Sequence, residues 1–109
     1  MPRQLAVAEV LALLSEARPP LLLDVREPWE AQTASIRTAG EQRLIPMGQI
    51  PARAGELDPA QPIVVYCHHG MRSLQVVAFL ERQGFESVYN LAGGIDAWSL
   101  EVDPSVPRY

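Results

Sequence analysis

The segment from residue 63 to residue 80 constrains the fold of this chain more than any other. An apolar run, Ile63-Val64-Val65-Tyr66, is followed at once by Cys67-His68-His69-Gly70-Met71-Arg72-Ser73 and then by a helical run over residues 74–80. This order predicts a strand, a tight loop and a helix, with Cys67 at the end of the strand. Loop amides and a helix N-terminus both carry partial positive charge, so a loop in this position is suited to binding an anion.

Cys67 is the only cysteine in the chain, and the predicted loop gives it the surroundings of a nucleophile. Helix N-termini and nearby cations stabilise the thiolate, which is the reactive form of cysteine. Arg72 lies beside the first turn of the helix, where the helix dipole opposes a cation, so we expect a bound anion to compensate. Its guanidinium fork would grip an oxyanion together with the loop amides. We therefore predict Cys67 as the catalytic residue. The predicted substrate-binding residues are His68, His69, Gly70, Met71, Arg72 and Ser73.

Short apolar runs alternate with helical segments along the rest of the chain. Strands are predicted at residues 21–25, 44–45, 63–66 and 87–91, and helices at 5–14, from Pro28, at about 49–57 with Pro51 able to begin it, at 73–83 and at 94–100. This spacing predicts an α/β fold with three layers: a mostly parallel central sheet with helices on both faces. Sites in such sheets lie outside the carboxyl ends of the strands, where Cys67 falls. Residues 101–109 are expected to form an extended tail on the surface.

Length and composition predict one globular domain over residues 1–109. The chain is 48% hydrophobic and 20% charged, which is enough for a core without a disulfide or a metal staple. Its net charge of −4 disfavours a general nucleic-acid or membrane surface, so any anion site must be local. The nine basic residues are all arginines, which excludes lysine chemistry. A lone cysteine fits a reducing compartment, and Glu9 interrupts the apolar N-terminal run that could imitate a signal peptide, so we expect a cytoplasmic protein.

Three motifs together resemble those of rhodanese-type sulfurtransferases. The stretch Val65-Tyr66-Cys67-His68-His69-Gly70-Met71-Arg72-Ser73 resembles the active-site loop of that family. Leu23-Asp24-Val25-Arg26-Glu27-Pro28-Trp29-Glu30 resembles its early strand-to-helix motif, and Asn90-Leu91-Ala92-Gly93-Gly94-Ile95-Asp96-Ala97-Trp98 resembles its closing motif. The order and approximate spacing of all three agree, so the resemblance covers nearly the whole chain and implies a rhodanese-like fold.

The resemblance also implies an activity. A sulfane sulfur would pass from thiosulfate or a protein persulfide to Cys67, and from the Cys67 persulfide to a thiol, cyanide or a sulfur-carrier protein, without a cofactor. Asp24 and Arg26 would brace the loop, with Glu30 as an expected ion-pair partner of Arg26. The tail over residues 102–109, taken with His68-His69-Gly70, resembles rhodanese domains joined to adenylating enzymes of sulfur-carrier pathways, which implies cofactor or tRNA thiolation.

The residues of the loop also bear on two alternative functions. Cysteine-dependent phosphatases and arsenate reductases of related fold have a longer loop, whereas only residues 68–71 separate Cys67 from Arg72 and Ser73 stands where the longer loop needs its arginine. A non-catalytic binding or regulatory module is disfavoured because both Cys67 and Arg72 are present. His68 and His69 are the only histidines, too few for a metal site, and are interpreted as loop-wall residues. Trp29 and Trp98 are expected to be packing residues.

Overall fold

One five-stranded parallel sheet organises the protein. The computed structural model describes residues 3–38 and 40–109. The strands are β1 (Gln4–Leu5), β2 (Leu21–Asp24), β3 (Gln42–Leu44), β4 (Ile63–Tyr66) and β5 (Val88–Leu91). They pair in parallel in the order β1-β5-β4-β2-β3, which places β4 in the centre.

Helices connect the strands and cover the sheet. They are α1 (Val7–Leu14), α2 (Pro28–Thr33), α3 (Ile50–Arg53), α4 (Met71–Arg82) and α5 (Gly94–Glu101). Short 3₁₀ turns flank α3 at Met47–Gln49 and Ala54–Glu56. Within the described residues, no helix is both long and apolar enough to cross a membrane.

Strands β2 and β4 are buried along their whole length, as their apolar runs predict. On one face, Leu23 and Val65 pack in a cluster with Val77 of α4. On the other face, Val64 packs in a cluster with Val10 of α1, and that cluster also contains Trp98 of α5. The predicted three-layer α/β fold is therefore confirmed.

Several predicted boundaries are wrong at the edges of the sheet. Leu5 was expected in the first helix but pairs with Leu91 in β1, so α1 begins at Val7. The third strand lies at residues 42–44. The third helix starts at Ile50 with Pro51 in its first turn, close to the predicted start, and a 3₁₀ turn precedes it. Extended edge pairing and 3₁₀ turns are set by neighbouring backbone, which hydrophobic periodicity does not report.

The segment that follows α5 has one buried anchor. Helix α5 continues through Glu101, and the segment after it folds back along that helix. Val106 is buried against the second core cluster, and the Ser99 hydroxyl donates to the Val106 carbonyl at 2.6 Å. Trp98 is buried as predicted, whereas Trp29 is 62% exposed and is not a core residue. Residues 102–109 therefore lie on the surface and are held there by the burial of Val106.

Candidate active site

The Cys67 sulfur lies inside a ring of hydrogen-bond donors. The Gly70 amide donates to Sγ at 3.1 Å, the Ser73 amide at 3.4 Å and the Ser73 hydroxyl at 3.3 Å. Gly70 has φ +100°, a left-handed conformation that favours glycine and turns its amide toward the sulfur. Both Cys67 and Ser73 are buried. Three donors aimed at one sulfur stabilise negative charge there, as a nucleophilic thiolate requires.

The N-terminus of α5 holds the back of the same loop. The Ile95 amide donates to the Cys67 carbonyl at 2.9 Å, and the Asp96 amide donates to the His68 carbonyl at 3.1 Å. Gly94 makes this approach possible, since a Cβ there would lie 2.5 Å from the His68 oxygen and 2.6 Å from the Cys67 oxygen. With these carbonyls bound from behind, the loop amides are left to face the sulfur.

Arg72 forms an ion pair with Glu30. The sequence had predicted Arg26 as the partner of Glu30. Arg72 Nη1 and Nη2 donate to Glu30 Oε1 at 2.7 Å and Oε2 at 2.8 Å. The hydrogen bonds from Arg72 outweigh burial and lower the pKa of Glu30 to about 2, and the same contact raises the pKa of Arg72. Two of the five guanidinium N–H groups are used, and the others find no partner among the described residues. Glu30 therefore orients Arg72 at the mouth of the loop and leaves it donors for an anion.

Arg26 is fully buried and pairs with Asp24 instead of the Glu30 carboxylate. Its Nε and Nη2 donate to the two oxygens of Asp24 at 2.9 and 2.8 Å. Burial alone would lower the pKa of Arg26, but hydrogen bonds to Asp24 and Tyr109 raise it. Arg26 also donates to the backbone carbonyls of Glu30 at 3.3 Å and Ala34 at 2.8 Å. The pair thus fastens the end of β2 to α2. It also contacts Tyr66, the residue directly before Cys67, whose hydroxyl donates to Asp24 Oδ2 at 3.2 Å and accepts from Arg26 Nη2 at 3.4 Å.

Tyr109 lies beside the loop, and the sequence reading did not assign it a role. Its ring stacks on His68 with centroids 3.9 Å apart and planes 7° apart. Its hydroxyl donates to Glu30 Oε2 at 2.7 Å and accepts from Arg26 Nη1 at 3.0 Å. Burial raises the pKa of Tyr109 to about 12, so the hydroxyl remains a donor at neutral pH. The only sequence hint was the resemblance carried by the tail, since no periodicity marks a single aromatic residue after two prolines.

The two histidines form a wall of the site. His68 and His69 stack with centroids 3.9 Å apart, and burial together with the charge of His69 lowers the pKa of His68. Asp96 offers a carboxylate within 4.8 Å of ligand nitrogens on both rings. Arg108 also donates to the Asp96 carboxylate at 2.9 Å. The three side chains therefore bring possible ligand atoms close together, and in this structure the Asp96 carboxylate is paired with Arg108.

The remaining predicted residue, Met71, is exposed at the rim as the first residue of α4. The structure therefore brings all seven predicted loop residues together, with Glu30 in direct contact and Asp24 and Arg26 one layer behind. Each guanidinium near the loop is matched to a carboxylate, in the pairs Arg26–Asp24, Arg72–Glu30 and Arg108–Asp96.

Known proteins with similar sequences match most of this chain. The chain is 32% identical over 106 residues to thiosulfate sulfurtransferase GlpE of Pseudoalteromonas translucida, covering 97% of each chain. It is 45% identical over 92 residues to the Arabidopsis thaliana rhodanese-like/PpiC domain-containing protein 12, chloroplastic, covering 81% of this chain. The match spans only 30% of that plant protein. A relative named as a sulfurtransferase and aligned end to end supports a sulfurtransferase of the rhodanese type.

A solved structure and a family model identify the family of the fold. A rhodanese-like domain protein from Staphylococcus aureus, solved by crystallography, superimposes with a TM-score of 0.80 at 28% identity and covers 98% of both chains. Residues 6–101 match the rhodanese-like domain family, and these residues include all of β2 to α5 and the loop around Cys67. The chain therefore belongs to the rhodanese-like domain family.

Proposed function

We propose that this protein moves a sulfane sulfur from thiosulfate or a protein persulfide to a nucleophilic acceptor through a persulfide on Cys67. The observation that carries the proposal is the buried Sγ with three donors at 3.1–3.4 Å. Cys67 is only 1% exposed, so a donor must present a small terminal atom to reach its sulfur. A sulfane sulfur meets that requirement.

The first half-reaction follows from this placement. The Cys67 thiolate attacks the outer sulfur of thiosulfate, a new S–S bond forms on Sγ, and the old S–S bond breaks with its electron pair leaving on sulfite. The free N–H groups of Arg72 and the amides of the loop would hold the departing anion. His68, His69, Gly70, Met71, Arg72 and Ser73 are the residues proposed to surround the donor.

The second half-reaction regenerates the enzyme. A thiol, cyanide or a sulfur-carrier protein attacks the terminal sulfur of the persulfide, and the bonding electrons return to Sγ, which leaves as the thiolate. The same donors that surround Sγ would stabilise this leaving group. Because the cysteine must remain reduced between cycles, a reducing compartment such as the cytoplasm suits this activity.

Intact-protein mass spectrometry tests the proposal. Incubation with thiosulfate should add the mass of one sulfur atom, and cyanide should remove it with release of thiocyanate. Since the chain has one cysteine, the Cys67→Ala variant and protein blocked with iodoacetamide are complete controls and should gain nothing.

A persulfide donor such as glutathione persulfide forms the second arm of the experiment. Loading from this donor but not from thiosulfate would restrict the donor class to persulfides. No loading from either donor, with Cys67 still open to alkylation, would overturn the proposal and favour a binding module.

A further inference from the structure

The segment after α5 delivers one aromatic side chain to the active-site loop. Val106 anchors the segment in the second core cluster, and Arg108 binds Asp96 at 2.9 Å. These two anchors fix the direction of the chain, so that Tyr109 stacks on His68 and meets the Trp29 ring in a T-shaped arrangement with centroids 6.0 Å apart. The position of Tyr109 is therefore specified by the two anchors that precede it and by its ring contacts with His68 and Trp29.

The Tyr109 hydroxyl joins the two ion pairs behind the loop. It accepts from Arg26 at 3.0 Å and donates to Glu30 Oε2 at 2.7 Å, the oxygen that also receives Arg72 Nη2 at 2.8 Å. The other oxygen, Oε1, receives Arg72 Nη1 at 2.7 Å and the Glu27 amide at 3.0 Å. Each carboxylate oxygen thus has one bond from Arg72 and one from a group outside the loop.

This arrangement determines the direction of the Arg72 fork. A carboxylate held at only one oxygen can turn about its own axis, and the planar fork bound to it turns as well. Tyr109 supplies the second fixed point by donating to Oε2 of Glu30. Its ring also covers one face of His68, so the loop wall and the arginine are fixed by the same residue.

We propose that Tyr109 is a positioning residue for the anion-binding function of the Cys67 loop, acting through Glu30 on the orientation of Arg72. It touches neither Sγ nor the expected path of the sulfur. This inference rests on the proposed function, because it assigns to Arg72 the anionic part of the donor.

Alkylation of Cys67 by two reagents tests the inference without sulfur transfer. Iodoacetate carries a carboxylate and iodoacetamide does not, so the ratio of their rate constants reports how well the site guides an anion to Sγ. Tyr109→Phe keeps the ring on His68 and removes the hydroxyl. We expect the ratio of the iodoacetate rate constant to the iodoacetamide rate constant to fall about threefold to tenfold in this variant, because a misaligned Arg72 guanidinium binds a carboxylate less well.

Tyr89→Phe is the matched control, because the Tyr89 hydroxyl contacts Arg3 and no residue of the loop. Its ratio should equal that of the parent. In a double-mutant cycle, Tyr109→Phe should have no further effect once Arg72→Lys has removed the fork. Circular dichroism at the assay temperature confirms that each variant is folded.

Steady-state kinetics with thiosulfate forms the second arm, in which Tyr109→Phe should raise KM and leave kcat within about twofold. An unchanged alkylation ratio in Tyr109→Phe, or an additive cycle with Arg72→Lys, would overturn the role of Tyr109. Failure of the parent to load sulfur, with the ratio still falling in Tyr109→Phe, would instead overturn the proposed function alone.

Discussion

Arg72 and Glu30, which are 42 residues apart in the sequence, form a two-point ion pair with N–O distances of 2.7 and 2.8 Å at the mouth of the Cys67 loop. The carboxylate is buried, and the guanidinium is partly exposed. Helix α2 is thereby attached to the first turn of α4, and the position of the arginine depends on a residue outside its own loop.

Glu30→Gln should destabilise the protein at neutral pH by about 1–3 kcal/mol, discounted for the partial exposure of Arg72. Contact with Arg72 lowers the pKa of Glu30 from 4.5 to about 2. The stabilisation is therefore complete above pH 4.5 and is lost as pH falls toward 2, so parent and variant should converge in that window. Urea unfolding at a series of pH values measures this.

Glu56→Gln is the control for that experiment, because Glu56 pairs with Arg43 and Arg53 on the exposed surface. Exposed ion pairs contribute little to stability, so its effect should be much smaller. A constant difference between parent and Glu30→Gln from neutral pH down to pH 2 would contradict the assignment.

Ser73→Ala removes one of the three donors to the Cys67 sulfur. Because a single hydrogen bond contributes modestly, the rate of alkylation by iodoacetamide at neutral pH should fall about twofold to tenfold. Ser35→Ala is a suitable control, since the Ser35 hydroxyl donates to the Ala31 carbonyl away from the site. Equal rates for parent and Ser73→Ala would mean that the two amides alone stabilise the thiolate.

Gly94→Ala should damage the loop without touching a side chain of the site. The added Cβ would lie within 2.6 Å of the Cys67 and His68 carbonyl oxygens, and Gly94 has φ +62°. We expect a loss of about 2–4 kcal/mol in the free energy of unfolding, together with slower alkylation of Cys67.

Gly48→Ala provides the comparison, because a Cβ at Gly48 meets nothing within 4 Å. Chemical denaturation of both variants should separate them clearly. Similar stabilities would show that α5 yields easily and does not hold the loop.

Aryl phosphates should not be hydrolysed by the parent protein. The loop holds only residues 68–71 between Cys67 and Arg72, and Ser73 stands where a longer phosphatase loop needs its arginine. p-Nitrophenyl phosphate provides a sensitive assay, with Cys67→Ala as the background. Hydrolysis that depends on Cys67 would contradict the sulfurtransferase assignment.

The sequence predicted the parts of this protein whose determinants are local. The apolar runs of β2 and β4, and the order of strand, loop and helix around Cys67, follow from neighbouring residues. β1 could not be predicted, since two residues at a sheet edge have no periodicity and depend on pairing with Leu91. The partner of Glu30 was predicted wrongly for a related reason. Arg26 is near in sequence, but its buried guanidinium is taken by Asp24, which leaves the carboxylate to Arg72.

Gly94 lets the N-terminus of α5 bind the carbonyls of Cys67 and His68. The main chain around Sγ is therefore held independently of the exposed side chains of the loop. Two of the three donors to Sγ are main-chain amides, and α5 binds the main chain of the same loop. The side chains of His69 and Met71, by contrast, are exposed. We therefore expect substitutions at positions 69 and 71 to leave the amides around Sγ in place. Under the proposed function, we expect a library randomised at these two positions to yield variants with altered acceptor preferences that still load sulfur on Cys67.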